Sequence, residues 1–166
     1  MINAKCYKGY KDYHYDGKNY KLASFDIGYI VIRNADDYHI GKGSKCYMVL
    51  DIEDEFHEVH KNIDEASKNY VFFEDEVSTC FEDHRFYYCG TIKDVERYNK
   101  VDGWPVQILT VETTDNQPYG PGTFRLHLRS KEVFKKGKAI QGVGRAFGEI
   151  TRATSCKRDD MSDIFK

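Results

Sequence analysis

Apolar and polar residues alternate along much of this chain, and a period of two predicts strands with one buried face. The clearest case is the segment 123–130, where Phe124, Leu126 and Leu128 point one way. The residues between them, which point the other way, are Arg125, His127 and Arg129. Further strands are predicted at 2–6, 20–22, 28–33, 45–52, 70–73, 85–95, 104–113, 138–144 and 145–153. The pattern therefore predicts a β-rich fold, and no internal repeat is evident in it.

One segment follows a helical period instead. The apolar residues with this spacing are Phe56, Val59, Ile63 and Ala66. Acidic residues stand in what would be the first turn, where they complement the helix dipole. These features predict one helix at about 53–69 and place the chain in the α+β class.

Composition narrows the class of protein. The chain has 166 residues, of which 40% are hydrophobic and 14% aromatic, so it can bury a core and disorder is disfavoured. No apolar run approaches the roughly 20 residues that cross a bilayer, and the start of the chain lacks a signal peptide. We therefore expect no membrane association and a cytoplasmic location, which is the host cytoplasm if the protein is viral.

The net charge of −2 conceals two charged blocks. Residues 51–85 hold twelve acids against three bases, a balance of −9. Residues 116–158 hold ten bases against two acids, a balance of +8. Segregation of this kind indicates a polyanion partner for the basic block, or two surfaces that neutralise each other within one fold.

Two groups of cysteine and histidine residues approach the spacing of metal sites without matching it. Five Cys without a signal peptide indicate reduced thiols. Cys80, His84 and Cys89 lack a tight Cys-x2-Cys knuckle and a fourth ligand. His57 and His60 are three residues apart, one short of the spacing found in zinc peptidases. We therefore predict no metal and no cofactor, and the absence of a recognisable catalytic set favours a protein that is not an enzyme.

The second half of the chain resembles an OB-fold, a small five-stranded antiparallel barrel. The resemblance is carried by a long strand with Gly90 in its middle, the strand 104–113, a Gly-rich turn, the strand 123–130, and the Lys-Gly turn within 133–145. It implies an OB-like barrel at 85–156, preceded by a strand-rich region at 1–84 and followed by an acidic tail at 157–166. Residues 1–84 either form a separate lobe or add strands to the same fold.

An OB-fold implies binding of single-stranded nucleic acid through cations and stacking aromatic residues, with DNA favoured over RNA. The binding residues that the resemblance suggests are Trp104, Tyr119, Arg125, His127, Arg129, Lys135, Lys136, Lys138, Arg145 and Arg152. Trp104 has an alternative role in the core of the barrel, and Tyr119, in a Pro- and Gly-rich loop, is the aromatic residue most expected to be exposed. His127 is expected to be a surface residue rather than a catalyst.

A second class of function stays open. The segment 159–165 is similar to the acidic, Phe-ended tips with which bacterial single-strand-binding proteins recruit partners, although Lys166 follows the Phe here. The Lys-, Tyr- and Asp-rich composition also resembles small accessory proteins of large DNA phages. The alternative is therefore an inhibitor or adaptor that binds a host or replication protein through its acidic or basic surface. An enzyme, such as a nuclease or a transferase, is the third alternative.

Overall fold

The computed structural model describes the backbone of residues 1–68, 84–101, 104–113 and 122–154. The side chains of Trp104 and of residues 67–68 and 99–101 are outside this description. The strand predicted at 70–73, Tyr119 and the acidic tail also lie outside the described residues.

Eight strands and one helix make up the described chain. The strands are β1 (Ile2–Tyr15), β2 (Lys18–Phe25), β3 (Gly28–Ile32), β4 (Lys45–His60), β5 (Phe86–Val101), β6 (Trp104–Thr113), β7 (Thr123–Arg129) and β8 (Ala139–Ala153). A 3-10 turn spans Ala35–Asp37, and α1 spans Ile63–Lys68. The expectation of a β-rich fold with one helix is confirmed. None of the described helices combines the length and the apolar character that a membrane crossing requires.

The strands form one sheet that closes on itself twice. Their order is β1-β2-β3-β8-β4-β7-β6-β5, and two additional pairings join β1 to β4 and β8 to β5. The first circuit is therefore β1-β2-β3-β8-β4, and the second circuit is β8-β4-β7-β6-β5. The long strands β4 and β8 belong to both circuits, which ties the two halves of the chain into one sheet.

The two circuits repeat one pairing scheme. Three consecutive strands pair antiparallel in each, β1-β2-β3 in the first and β5-β6-β7 in the second. The third strand then pairs in parallel with the long strand of the other half, β3 with β8 and β7 with β4. The two parallel pairings meet at one place, since Phe147, the partner of Val31, pairs with Asp51, the partner of Arg125. The repeat lies in the pairing of strands and not in the sequence.

Two predicted elements are corrected by this pairing. Residues 53–60 continue β4 rather than opening a helix, because β8 hydrogen-bonds along β4 as far as His60. The helix is limited to α1. Residues 138–144 and 145–153 form one strand, β8, so 85–153 supplies four strands and not five. The place beside β7 that the fifth strand of a barrel would fill is taken by β4.

The core is continuous across both circuits. One cluster of buried side chains includes Ala4, Ile30, Met48, Leu109 and Ile140, which come from both halves of the chain. A second, smaller cluster of Leu22, Val31 and Phe147 lies on a different face of the sheet. That second face carries the candidate site.

Candidate binding face

Cross-strand register places one set of side chains on a shared face of the sheet. Directly paired residues point to the same side, so the face can be followed from pair to pair. The chain of pairs runs from Tyr13–Tyr20 and Leu22–Val31 through Val31–Phe147 and Phe147–Asp51 to Asp51–Arg125. We call it the aromatic–cationic face and define it by Tyr13, Tyr15, Tyr20, Tyr29, Arg33, Arg125, His127, Arg129, Arg145 and Phe147.

The aromatic part of this face lies on the first circuit. Phe147 is buried, and the tyrosines around it are partly exposed. The rings of Tyr13 and Tyr15 are 6.2 Å apart and nearly parallel, at 11°. Tyr15 and Tyr20 contact Phe147 with ring centroids 6.3 Å and 6.0 Å away. Because packing holds these rings in place, a planar ligand would meet a preformed surface.

The cationic part is anchored by one buried carboxylate, Asp51. Arg125 donates to it twice, from Nε to Oδ1 at 2.7 Å and from Nη2 to Oδ2 at 2.9 Å. Arg33 Nη1 donates to Oδ2 at 2.9 Å, and His127 Nε2 lies 2.8 Å from Oδ1. Asp51 is 3% exposed, whereas the side chains of Arg33 and Arg125 are 46% and 52% exposed. The carboxylate therefore positions two guanidinium groups that remain accessible.

The ionisation of Asp51 reflects two opposing effects. Burial favours the neutral acid and alone would raise the pKa of this carboxyl. Hydrogen bonds from Arg125, His127 and Arg33 favour the carboxylate, and together they hold the pKa of Asp51 below its usual range. The carboxylate is therefore charged at neutral pH.

Two further contacts join cations to aromatic rings. The guanidinium of Arg145 lies 4.7 Å from the ring centre of Tyr15, and Arg145 also donates to the hydroxyl of Tyr13 at 2.5 Å. The guanidinium of Arg33 lies 5.3 Å from the ring centre of Phe147. Such stacking is energetically favourable and keeps charge beside the rings.

The face also carries carboxylates. Asp51, Glu53 and Glu55 occupy alternate positions of β4. Glu55 is paired, with its Oε1 3.3 Å from Nε of Arg145 and its Oε2 3.4 Å from Nη1 of Arg85. Glu53 is exposed. Part of the acidic block seen in the sequence is therefore used in ion pairs within the protein.

Four of the residues suggested by the sequence meet on this face, namely Arg125, His127, Arg129 and Arg145. The others lie elsewhere. Lys135 and Lys138 line a shallow depression with Val59 and His60, and Lys136 Nζ lies 3.6 Å from Asp94 Oδ1. Arg152 stacks on Tyr47, with 4.2 Å from the guanidinium to the ring centre. For Trp104 the structure describes only the backbone, at the start of β6.

The tyrosines of this face and Arg33 were missed in the sequence. The Tyr-rich, polar sequence of residues 9–19 predicts a turn region, but these residues form the hairpin of β1 and β2. Its turn is Asp16-Gly17, a residue pair that predicts a tight turn, and both φ angles are positive, at 52° and 72°. The spacing of Tyr13 and Tyr15 on one side of β1 was the signal that could have placed them on one face.

A second polar network lies nearby, on the end of β4. His57 Nδ1 is 2.8 Å from Asp54 Oδ2, and His57 Nε2 is 3.3 Å from Glu132 Oε1. The hydroxyl of Tyr88 donates to Asp54 at 2.5 Å. The hydrogen bond to Asp54 outweighs burial and raises the pKa of His57 above its usual range. No group of His, Cys, Asp and Glu suited to a metal ion occurs among the described residues.

Comparisons with protein-family models, with curated proteins and with solved structures give no match to this chain. Function is therefore inferred from the chemistry of the face itself.

Proposed function

We propose that this protein binds single-stranded nucleic acid, with DNA favoured over RNA, on the aromatic–cationic face. The observation that carries the proposal is the juxtaposition of stacked, partly exposed tyrosines with guanidinium groups held in place beside them. Base stacking on an aromatic side chain contributes about 1–3 kcal/mol per base and depends little on sequence. Each phosphate contact adds affinity that weakens with salt.

The pairing scheme supports the proposal. In the second circuit, β5, β6 and β7 pair in sequence, β7 runs parallel to β4, and β8 closes onto β5. This order resembles the Greek-key order of an OB barrel, with β4 in the place of the fifth strand, and the first circuit repeats it with β8 in that place. OB barrels bind oligonucleotides on their second and third strands. Here those strands include β2 and β3 with Tyr20 and Tyr29, and β7 with Arg125.

The direct test is a titration with labelled oligo-dT and oligo-U at two salt concentrations. Binding is monitored through the quenching of tyrosine fluorescence. Contact with about three phosphates gives a slope of about −2 for log K against log salt on a single strand. The dT titration is expected to give the tighter binding. Absence of binding to both oligonucleotides at low salt would contradict the proposal, and tighter binding of oligo-U would contradict the preference for DNA.

Variants locate the site. Tyr15→Leu with Tyr20→Leu keeps the apolar contact with Phe147 but removes two stacking surfaces, so affinity is expected to fall by at least tenfold. The matched control is Tyr7→Leu with Tyr98→Leu, two exposed tyrosines outside the aromatic cluster, and it is expected to bind like the wild type. Equal losses of affinity in the two double variants would show that the aromatic–cationic face is not the binding site.

A variant that removes a negative charge from the face provides a test with an expected gain of affinity. Glu53 is an exposed carboxylate among the cations of the face. Its replacement, Glu53→Gln, removes repulsion of phosphate and is expected to tighten binding a few-fold at low salt. If no oligonucleotide binds the wild type, a pull-down from lysate would test the alternative of a protein-binding adaptor.

A further inference from the structure

Arg33 belongs to two features of the surface at once. Its Nη1 donates to Oδ2 of Asp51, the oxygen that also accepts from Nη2 of Arg125. Arg33 also lines a depression of about 480 Å³, whose wall includes Tyr20 of β2. Arg33 therefore joins the pair of guanidinium groups to an opening that has an aromatic side chain in its wall.

The two guanidinium groups converge on one point. Nη1 of Arg33 and Nη2 of Arg125 each lie 2.9 Å from Oδ2 of Asp51. The two nitrogens are therefore no further apart than twice that distance, which a single phosphate group can bridge with two of its oxygens. The side chains are 46% and 52% exposed, and a guanidinium has more N–H donors than Asp51 engages. Donors of both arginines are therefore accessible to one phosphate.

Charge places a phosphate on this pair rather than inside the depression. The two guanidinium groups and the carboxylate of Asp51 together carry one net positive charge. In the wall of the depression, Lys21 is paired with Asp12 at 2.5 Å, and Asp36 is an exposed carboxylate. These carboxylates repel a phosphate but can accept hydrogen bonds from the N–H groups of a neutral base. The volume of the depression is within the range of about 300–1,000 Å³ that small-ligand sites have.

We propose that Arg33 and Arg125 form one phosphate subsite of the aromatic–cationic face, and that the nucleoside attached to this phosphate occupies the depression beside Tyr20. The inference rests on the proposed binding of single-stranded nucleic acid and adds the position of one nucleotide. Two arginines then bind one phosphate, so the pair contributes one ionic contact and not two.

The salt dependence of oligo-dT binding tests the phosphate subsite. One phosphate contact on a single strand contributes about 0.7 to the slope of log K against log salt. Arg33→Gln leaves Asp51 paired with Nε and Nη2 of Arg125, so the variant is expected to fold. It removes the net charge of the pair, and the slope is expected to become less steep by about 0.7. Arg97→Gln, which removes an exposed arginine of β5 outside the face, is the matched control and is expected to keep the wild-type slope.

A triple variant distinguishes one shared phosphate from two separate ones. Asp51→Asn combined with Arg33→Gln and Arg125→Gln removes the carboxylate together with both arginines, so Asp51 is not left as a buried charge without them. The slope is expected to fall by the same amount of about 0.7, whereas two separate phosphate contacts predict about 1.4. A loss of the larger size, an unchanged slope in Arg33→Gln, or an equal loss in Arg97→Gln would overturn the phosphate subsite.

Mononucleotide binding tests the nucleoside part of the proposal. Titrations of the wild type with dTMP, thymidine and inorganic phosphate are followed by protein NMR chemical shifts. Because dTMP links the two parts that the others contain singly, it is expected to bind at least about tenfold more tightly than either. Equal affinity for dTMP and inorganic phosphate would show that the depression holds no nucleoside and would overturn this part. If oligo-dT binds the wild type and these tests fail, only the subsite is wrong, whereas absence of oligo-dT binding contradicts the proposed function as well.

Discussion

The two circuits share a pairing scheme but differ in the chemistry of their outer face. The first circuit presents Tyr13, Tyr15 and Tyr20 around Phe147. The second circuit presents Arg125, His127 and Arg129 on β7. Strand pairing uses backbone hydrogen bonds, which any sequence with the right alternation can make. The shared backbone scheme therefore does not determine the chemistry of the surface, and only the two halves together provide rings and cations.

The junction between the circuits is formed by β4 and β8, and Asp51 links the halves across it. Its partners come from both sides, Arg33 following β3 and Arg125 and His127 on β7. The proposed binding face therefore depends on the junction as much as on either circuit. We therefore expect substitutions at the junction to affect both circuits, and substitutions away from the junction to affect one circuit.

The largest effect is expected for Gly144→Ala at the junction. A Cβ at this position would overlap the carbonyl oxygen of Glu53 and lie 3.0 Å from Cγ2 of Ile52. Since backbone atoms of β4 cannot move aside without breaking pairs in both circuits, a loss of about 3 kcal/mol in the free energy of unfolding is expected. Urea denaturation measures it.

Gly17→Ala is the matched control for Gly144→Ala. Gly17 has a φ of +72° but open space around it, so only the left-handed conformation is penalised, at about 1 kcal/mol. Similar losses for the two variants would show that β4 and β8 are not closely packed at the junction.

A smaller effect is expected for Asp51→Asn, which tests the link between the halves. The variant leaves Arg33, Arg125 and His127 around a neutral group. Because both arginines are about half exposed, the expected loss is about 2 kcal/mol rather than the larger cost of a fully buried pair. The pKa of Asp51 is lowered in the folded protein, so its contribution is present above the unfolded pKa of about 4 and is lost as pH falls through the folded value. The difference from wild type should therefore shrink below about pH 4.

Asp94→Asn serves as the control for Asp51→Asn. Asp94 lies 3.6 Å from Lys136, and both side chains are exposed. The expected loss in the free energy of unfolding is therefore less than about 1 kcal/mol. If the two variants lose the same stability, Asp51 does not link the circuits.

The smallest effect is expected for His57, at the end of β4, whose partner Glu132 follows β7 of the second circuit. The pKa of His57 is raised by its hydrogen bond to Asp54, so its contribution is fully present below the unfolded pKa of about 6.5 and is lost as pH rises through the folded value. His57→Gln is therefore expected to cost about 1 kcal/mol near pH 5 and progressively less at higher pH. Denaturation of both proteins across pH 5 to about 9 checks this. A difference that does not change with pH would exclude an ionic role for His57.

Local pattern was a good guide where a single face was buried. The alternation in 123–130 correctly separated Phe124, Leu126 and Leu128 from the polar side of β7. It failed at 53–60, because Phe56 and Val59 satisfy a helical period and are in fact exposed on a strand. The pairing with β8 decides that segment, and the partners on β8 are Ala139 to Arg145, far away in the sequence.

The sequence by itself determined the β-rich class, the turn at Asp16-Gly17 and the cationic side of β7, because each depends on neighbours within a few residues. Tertiary structure alone decided that β4 and β8 are shared, that Asp51 gathers Arg33 with Arg125, and that the tyrosines of β1 and β2 lie beside them. These outcomes depend on parallel pairings between distant strands, and no local periodicity encodes which distant strand a given strand will join.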